Sequence, residues 1–149
     1  MIILHKNFSY INGKSKETLL TQSKLDFNVK GDVLFIAEED RNNFIGKLIY
    51  GLKNKKIIVF IPSPLCAADF KKDLIKSIDL NHKNSSDNIM TTHFVLFTSG
   101  TTGKPKQILH TIESLTSKIK PRKQNYTWGL TYDPFRMAGL QVILSAITN

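Results

Sequence analysis

The chain has 149 residues, of which 41% are hydrophobic and 22% charged, a balance typical of one globular domain and not of a disordered chain. A single cysteine (Cys66), no apolar run long enough to span a bilayer and no signal-peptide pattern lead us to expect a cytoplasmic protein without disulfides. The net charge of +9 comes from scattered lysines with only three arginines, which favours a solvated lysine-rich surface, so no nucleic acid is expected as a partner.

The first well-patterned segments predict a strand, a helix and a second strand. Residues Met1–Lys30 form a weakly patterned lead-in with no predicted element, whereas "DVLFIA" (Asp32–Ala37) is typical of a strand buried on both faces. A helical face follows, made of Phe44, Ile45, Leu48, Ile49 and Leu52. "KIIVFIP" (Lys56–Pro62) is a second apolar strand pattern that ends at proline. Two strands and a helix within about 30 residues indicate a βαβ unit with parallel strands.

The alternation of helices and strands continues to the last residue. The later predicted elements are a helix over Asp69–Leu80, a loop over Asn81–Thr92, a strand over His93–Phe97, a helix with Ile108, Ile112, Leu115 and Ile119 on one face, a strand over Tyr126–Tyr132, and a helix over Met137–Ile147. The sequence therefore predicts an α/β fold with a mostly parallel sheet flanked by helices. Because the last helix ends without a cap, the chain is expected to be the N-terminal part of something longer.

The stretch "FTSGTTGKPKQ" (Phe97–Gln107) has the residue types that bind phosphate. Gly100 and Gly103 allow backbone N–H groups to converge on one anion, and hydroxyls surround them. Lys104 and Lys106 add positive charge, and the helix predicted after them would add its positive end, with Pro105 in its first turn. The alternative is a polar surface turn, but this ordered string between a buried strand and a predicted helix favours phosphate.

Two common nucleotide-binding motifs are excluded by spacing. A Walker A loop requires four residues between its glycines and Ser or Thr after the lysine, whereas two residues separate Gly100 from Gly103 and Pro105 follows Lys104. The dinucleotide fingerprint requires Gly-x-Gly-x-x-Gly, which is absent. A kinase or NTPase of the Walker type is therefore not expected.

"TSGTTGKPK" resembles the phosphate loop of the adenylate-forming (AMP-binding) superfamily, which includes acyl-CoA synthetases, luciferases and peptide-synthetase adenylation domains. Two weaker similarities lie at Gly31–Pro64 and in "YDPFRMAGLQVILSAI" (Tyr132–Ile147), where Arg136 replaces the family's usual histidine. The resemblance implies that residues 1–149 are a partial AMP-binding domain, the incomplete N-terminal portion of the large domain of such an enzyme. The resemblance is strong only in the phosphate-loop segment.

The activity implied by the resemblance is that of an AMP-forming acid–thiol ligase. A small carboxylic acid attacks ATP to give an acyl-adenylate and pyrophosphate, and a thiol such as coenzyme A then accepts the acyl group, with Mg²⁺ sharing the phosphate charge. The nucleotide-binding residues implied are Thr98, Ser99, Gly100, Thr101, Thr102, Gly103, Lys104 and Lys106.

Several other groups of the family's site have no counterpart in these 149 residues. They are a motif ending in Thr-Glu, a ribose-binding Asp and a catalytic Lys on a separate domain. No catalytic residue is therefore assigned, and the chain alone is expected to be inactive. A non-catalytic phosphate-binding remnant is the alternative, and a basic nucleic-acid-binding protein ranks last.

Other candidate residues favour structural roles. The four histidines have no metal-ligand spacing with one another or with Cys66, so no metal site is assigned, and His110 is expected to be a partly solvated helix residue. Trp128, Tyr132 and Phe135 are candidates to line an acyl pocket, but core packing explains each of them equally well.

Overall fold

Four strands after Gly31 form one sheet, and the helices lie between them or follow them. A computed structural model describes residues 10–12, 15–17, 31–37, 41–61, 91–98, 106–120, 122 and 127–149. The described elements, in chain order, are β1 (Tyr10–Asn12), β2 (Ser15–Glu17), β3 (Val33–Ile36), α1 (Arg41–Lys53), β4 (Ile57–Phe60), β5 (His93–Thr98), β6 (Lys106–Thr111), α2 (Ile112–Thr116) and α3 (Met137–Thr148).

The sheet has the order β3-β4-β5-β6 and is mostly parallel. β3 pairs with β4 and β4 with β5 in parallel, with Val33 opposite Ile57 and Ile57 opposite His93, whereas β6 is antiparallel to β5. The predicted βαβ unit is confirmed as β3–α1–β4, because the apolar strands pair side by side and the intervening helix returns the chain to the starting edge. The chain has an α/β fold, as predicted.

The main core lies on the face of the sheet that carries all three described helices. Leu34, Phe60 and Phe94 project from the strands and are almost fully buried. The helices contribute Phe44, Ile45, Leu48, Ile49, Ile112, Leu115, Leu140, Ile143, Leu144 and Ile147. A second buried cluster on the opposite face includes Val59 and Val95, which explains why β4 is apolar at every position.

The junction of α1 and β4 is fixed by backbone and lysine contacts. The Lys56 N–H donates to the Gly51 carbonyl at 3.0 Å, and Lys55 takes φ 51°, the left-handed conformation that ends many helices. The Lys56 ammonium then donates to the Gly31 carbonyl at 2.6 Å and lies 3.7 Å from the Asp32 carboxylate. These contacts hold the amino ends of β3 and β4 together.

The long helix predicted after the loop is wrong in its first half. Lys106–Thr111 is strand β6, and only the five residues of α2 that follow are helical. The non-local hydrogen bonds of β6 with β5 outweigh the helical spacing of Ile108 and Ile112. Thr111 is the N-cap residue of this helix, and its hydroxyl accepts from the Ser114 N–H at 3.2 Å.

The other sequence predictions have mixed outcomes. The last helix is confirmed as α3, one residue longer than expected. The strand predicted over Tyr126–Tyr132 is wrong, because residues 127–132 pair with no described strand. The helix predicted over Asp69–Leu80 and the loop over Asn81–Thr92, apart from its last two residues, lie outside the described residues. Within the weakly patterned lead-in, β1 and β2 form an antiparallel pair that was not predicted.

A hydrogen bond at the start of α2 predicts a measurable pH effect. The Thr91 hydroxyl donates to the Glu113 carboxylate at 2.7 Å, and this bond holds the pKa of Glu113 below its ordinary value of 4.5. Because the folded-state pKa is lowered, this stabilisation is present above pH 4.5 and is lost as the pH falls through the folded pKa.

We expect Thr91→Val to raise the pKa of Glu113 towards its ordinary value and to make stability less pH-dependent below pH 4.5. Carboxyl carbon shifts followed by NMR across the acid range measure this pKa. Thr116→Val is the control, because its hydroxyl donates to the Ile112 carbonyl of the same helix and not to Glu113. An unchanged Glu113 pKa in Thr91→Val would show that the Thr91 contact does not stabilise the carboxylate.

Candidate functional site

The phosphate-loop sequence connects two paired strands at the carboxyl edge of the sheet. Thr98 is the last residue of β5 and Lys106 is the first of β6, and the two are directly opposite each other in the antiparallel register. Paired residues lie about 5 Å apart, so the seven intervening residues begin and end at neighbouring points. Those between them that were assigned to the site are Ser99, Gly100, Thr101, Thr102, Gly103 and Lys104, which lie outside the described residues.

The position of the loop in the sheet is as predicted, but the element after it is not. Because β5 is parallel to β4, its carboxyl end lies at the edge where α/β proteins commonly bind ligands. The loop leads into strand β6, so the expectation that a helix and its positive end follow directly is wrong. Pro105, which was expected in the first turn of that helix, lies outside the described residues. The helix whose N-terminus comes near is instead α3, through Met137 and Ala138.

A groove opens between the end of the β5–β6 hairpin and the first turn of α3. Its volume is about 390 Å³. It is lined by Leu96, Phe97, Thr98, Ile108, His110, Arg136, Met137 and Ala138. Leu96 is paired with Ile108 and Thr98 with Lys106, and residues opposite each other in an antiparallel pair project on the same face. Lys106 is therefore on the groove side of the hairpin.

The groove combines an apolar wall with cationic and polar groups at the loop end. Ile108 and Met137 are 39% and 45% exposed, so their side chains are accessible from solvent. Arg136 is a fixed cation on the same wall, and Thr98 adds a hydroxyl at the position where β5 gives way to the loop. Such a groove suits an amphipathic anion better than a neutral apolar molecule.

Arg136 joins the first turn of α3 to the base of the loop. Its guanidinium donates from Nη1 to the Phe97 carbonyl at 2.9 Å, a contact between residues 39 positions apart. Its Nε lies 3.7 Å from the Asp133 carboxylate, with both side chains about half exposed. The sequence around Arg136 gives no sign of its partner, because Phe97 is distant along the chain.

The turn before α3 is held in one conformation by short-range contacts. The Asp133 carboxylate accepts from the Phe135 N–H at 2.9 Å, and the Asp133 carbonyl accepts from the Arg136 N–H at 3.1 Å. Gly139 packs directly against this turn, because a Cβ added there would lie 2.2 Å from the Asp133 carbonyl oxygen. The side chain of Arg136 therefore extends from a rigid turn towards Phe97.

His110 differs from its predicted environment. It lies in strand β6 and not in a helix, it is half-buried, and it lines the groove on the face shared with Ile108. In the part of the chain that the structure describes, no three His, Cys, Asp or Glu residues lie close enough together to hold a metal ion.

The three aromatic candidates for an acyl pocket do not line this groove. Phe135 is partly buried and packs edge-on against Phe44, with ring centroids 5.3 Å apart, so it packs against the core. Trp128 lies beneath the guanidinium of Arg122 at 5.6 Å. Tyr132 is mostly exposed.

Comparison with known proteins identifies no relative of this chain. No protein-family model matches it, no curated protein matches it, and no solved structure matches it. None of the described helices has both the length and the apolarity needed to cross a membrane.

Proposed function

We propose that the chain carries the phosphate-loop part of an ATP-dependent, AMP-forming acid–thiol ligase of the adenylate-forming superfamily. In this proposal a small carboxylic acid is activated as an acyl-adenylate and passed to a thiol such as coenzyme A. Residues 98–106 bind the phosphates of ATP, and the groove beside them forms part of the pocket for the carboxylic acid.

One observation supports this proposal most strongly. The string "TSGTTGKPK" closes a hairpin at the carboxyl edge of parallel strands, next to a groove with a fixed cation. Glycines in a short connection between paired strands allow backbone N–H groups to converge on one anion. Phosphate binding needs such donors together with positive charge, and the chain supplies both.

The residues divide the work by their chemistry. Gly100 and Gly103 let the backbone approach the phosphates closely, the hydroxyls of Ser99, Thr101 and Thr102 donate hydrogen bonds, and the lysines balance charge. The cofactor Mg²⁺ neutralises the β- and γ-phosphate oxygens when it is bound.

We expect the folded chain to bind pyrophosphate with Mg²⁺, and Ser99→Ala with Lys106→Ala to weaken this binding about 100-fold. The estimate assumes that each substitution removes one charge-assisted hydrogen bond. Titration calorimetry measures both affinities, and circular dichroism checks that each protein is folded.

The matched control is Ser117→Ala with Lys118→Ala. Ser117 and Lys118 are exposed in the turn after α2. The helix α2 begins at the end of β6 that is opposite the loop. The control therefore removes one serine hydroxyl and one lysine charge, as the test variant does, but away from the loop. Wild-type affinity is expected in this control. Equal weakening in both double variants would mean that pyrophosphate responds only to net charge. A folded wild type that does not bind would also contradict the proposal.

The alternative is a phosphate-binding module without catalysis. Both functions predict pyrophosphate binding, so a second measurement separates them. Exchange of labelled pyrophosphate into ATP in the presence of a carboxylic acid requires acyl-adenylate formation. The preparation for this assay includes any adjoining polypeptide of the native protein. Exchange would support the ligase, whereas pyrophosphate binding without exchange would support the module.

A further inference from the structure

We infer that Arg136 is a positioning residue for the phosphate loop, holding the base of the loop against the first turn of α3. This inference rests on the proposed function, because it gives Arg136 a purpose only if residues 99–105 bind phosphate. It assigns a role to the arginine that stands where the resembling family usually has histidine.

The contact is placed where it controls the loop. The guanidinium binds the carbonyl of Phe97, which is the residue before the last one of β5 and is itself almost fully buried. The pairing of β5 with β4 ends at Val95, so the last residues of β5 extend past the parallel register. Arg136 supplies a charged donor to the part of β5 that β4 does not pair with.

The other end of the contact is rigid. Arg136 is the N-cap residue of α3, with φ −108° and ψ 158°, and its backbone is hydrogen-bonded to the carbonyl of Asp133. The Asp133 carboxylate lies near Nε and orients the guanidinium plane. Because a guanidinium has five donors in a fixed fork, it can bind both partners at once. The base of the loop is thereby fixed relative to α3 and the groove.

The test compares Arg136→Met with Arg122→Met. Methionine keeps an unbranched apolar stem and removes the donors. Arg122 carries the same charge, but its N–H donates to the side chain of Asn149, the residue after the last turn of α3, and its guanidinium stacks on Trp128. A 12-residue helix is about 18 Å long, so the control removes an arginine far from the loop.

Two readouts are measured on the full chain. The first is the Kd for pyrophosphate with Mg²⁺, and the second is amide hydrogen exchange of residues 96–98 and 106–108 without ligand. Arg136→Met is expected to raise the Kd about tenfold and to speed this exchange about tenfold, whereas Arg122→Met changes either by less than about twofold. A purely structural arginine would lower the thermal midpoint without changing the Kd of the folded protein.

Three results would overturn the inference. The first is wild-type affinity in folded Arg136→Met, whatever its exchange rate. The second is lost affinity with unchanged exchange, which would make Arg136 a direct phosphate contact. The third is an equal change in Arg122→Met. If Arg136→Met does not fold, Arg136→Lys takes its place, with about threefold changes expected because a single amine replaces the fork.

Failure of the proposed function gives a different result. A folded wild type that binds no pyrophosphate removes the phosphate role, while the exchange comparison still decides whether Arg136 holds the base of the loop. Faster exchange in Arg136→Met would then show that the contact holds the ends of β5 and β6 in place, whereas its role in phosphate binding would be lost together with the proposed function.

Discussion

Replacing Phe60 with alanine is expected to lower the free energy of unfolding by about 3–5 kcal/mol. Phe60 is fully buried in β4, and its ring contacts those of Phe44, Phe94 and Phe135 at centroid distances of 5.6, 6.1 and 6.3 Å. Removing it leaves a cavity at the centre of the main core, where packed strands on one side and a helix on the other limit collapse. Urea denaturation followed by circular dichroism measures the loss.

Tyr132→Ala is the control for the Phe60 experiment. Tyr132 is 60% exposed, so removal of its ring is expected to change the stability by no more than about 0.5 kcal/mol. A loss below about 1.5 kcal/mol in Phe60→Ala would mean that the aromatic cluster does not form the core described above.

Replacing Gly139 with alanine is expected to destabilise the fold by about 1–3 kcal/mol, against the ordinary preference of helices for alanine. The added Cβ would lie 2.2 Å from the Asp133 carbonyl oxygen and 2.9 Å from the Pro134 Cα, both of them backbone atoms. The turn before α3 must then move away from the helix. We expect the contact between Arg136 and Phe97 to weaken as a consequence.

Gly129→Ala provides the matched substitution for Gly139→Ala. No atom lies within 4 Å of a Cβ added at Gly129, and its backbone is outside the left-handed region that favours glycine. Its stability is expected to stay within about 1 kcal/mol of wild type, with any gain coming from a less flexible unfolded chain. Equal stability of Gly139→Ala and the wild type in urea denaturation would show that α3 does not pack tightly on the turn.

The sheet was largely predictable because its strands are unusually apolar. Segments such as "DVLFIA" and "KIIVFIP" have no polar face, which few structures except a strand inside a parallel sheet accommodate. The helices α1 and α3 were predictable because their buried residues recur every three or four positions. In both cases the local pattern and the tertiary environment agree.

The prediction failed where the structure depends on distant partners. Ile108, Ile112, Leu115 and Ile119 have helical spacing, yet the first of them lies in β6, because residues from Lys106 to Thr111 pair with β5. "YTWGLTY" is rich in strand formers, but residues 127–132 find no described strand to pair with. The groove was missed for the same reason, since its walls come from three separate segments, residues 96–98, 108–110 and 136–138.

The antiparallel strand changes the physical account of the candidate site. A loop that leads into a helix would use that helix's positive end for phosphate, whereas a hairpin loop depends on its own N–H groups and on lysine. Lys106 then matters both as a charge and as the first residue of β6, and Thr98 is its opposite partner. Arg136 comes from another element and contacts the base of the loop through the Phe97 carbonyl.

The measurement that tests the central claim most directly is an NMR titration of the ¹⁵N-labelled chain with pyrophosphate and Mg²⁺. If the loop between β5 and β6 binds phosphate, the amide signals of Thr98, Lys106 and residues 136–138 shift together and saturate with one Kd. The amides of residues 54–56, at the opposite edge of the sheet, stay unchanged. Shifts confined to residues 54–56, or unsaturated shifts spread over all lysines, would contradict a phosphate site at the loop.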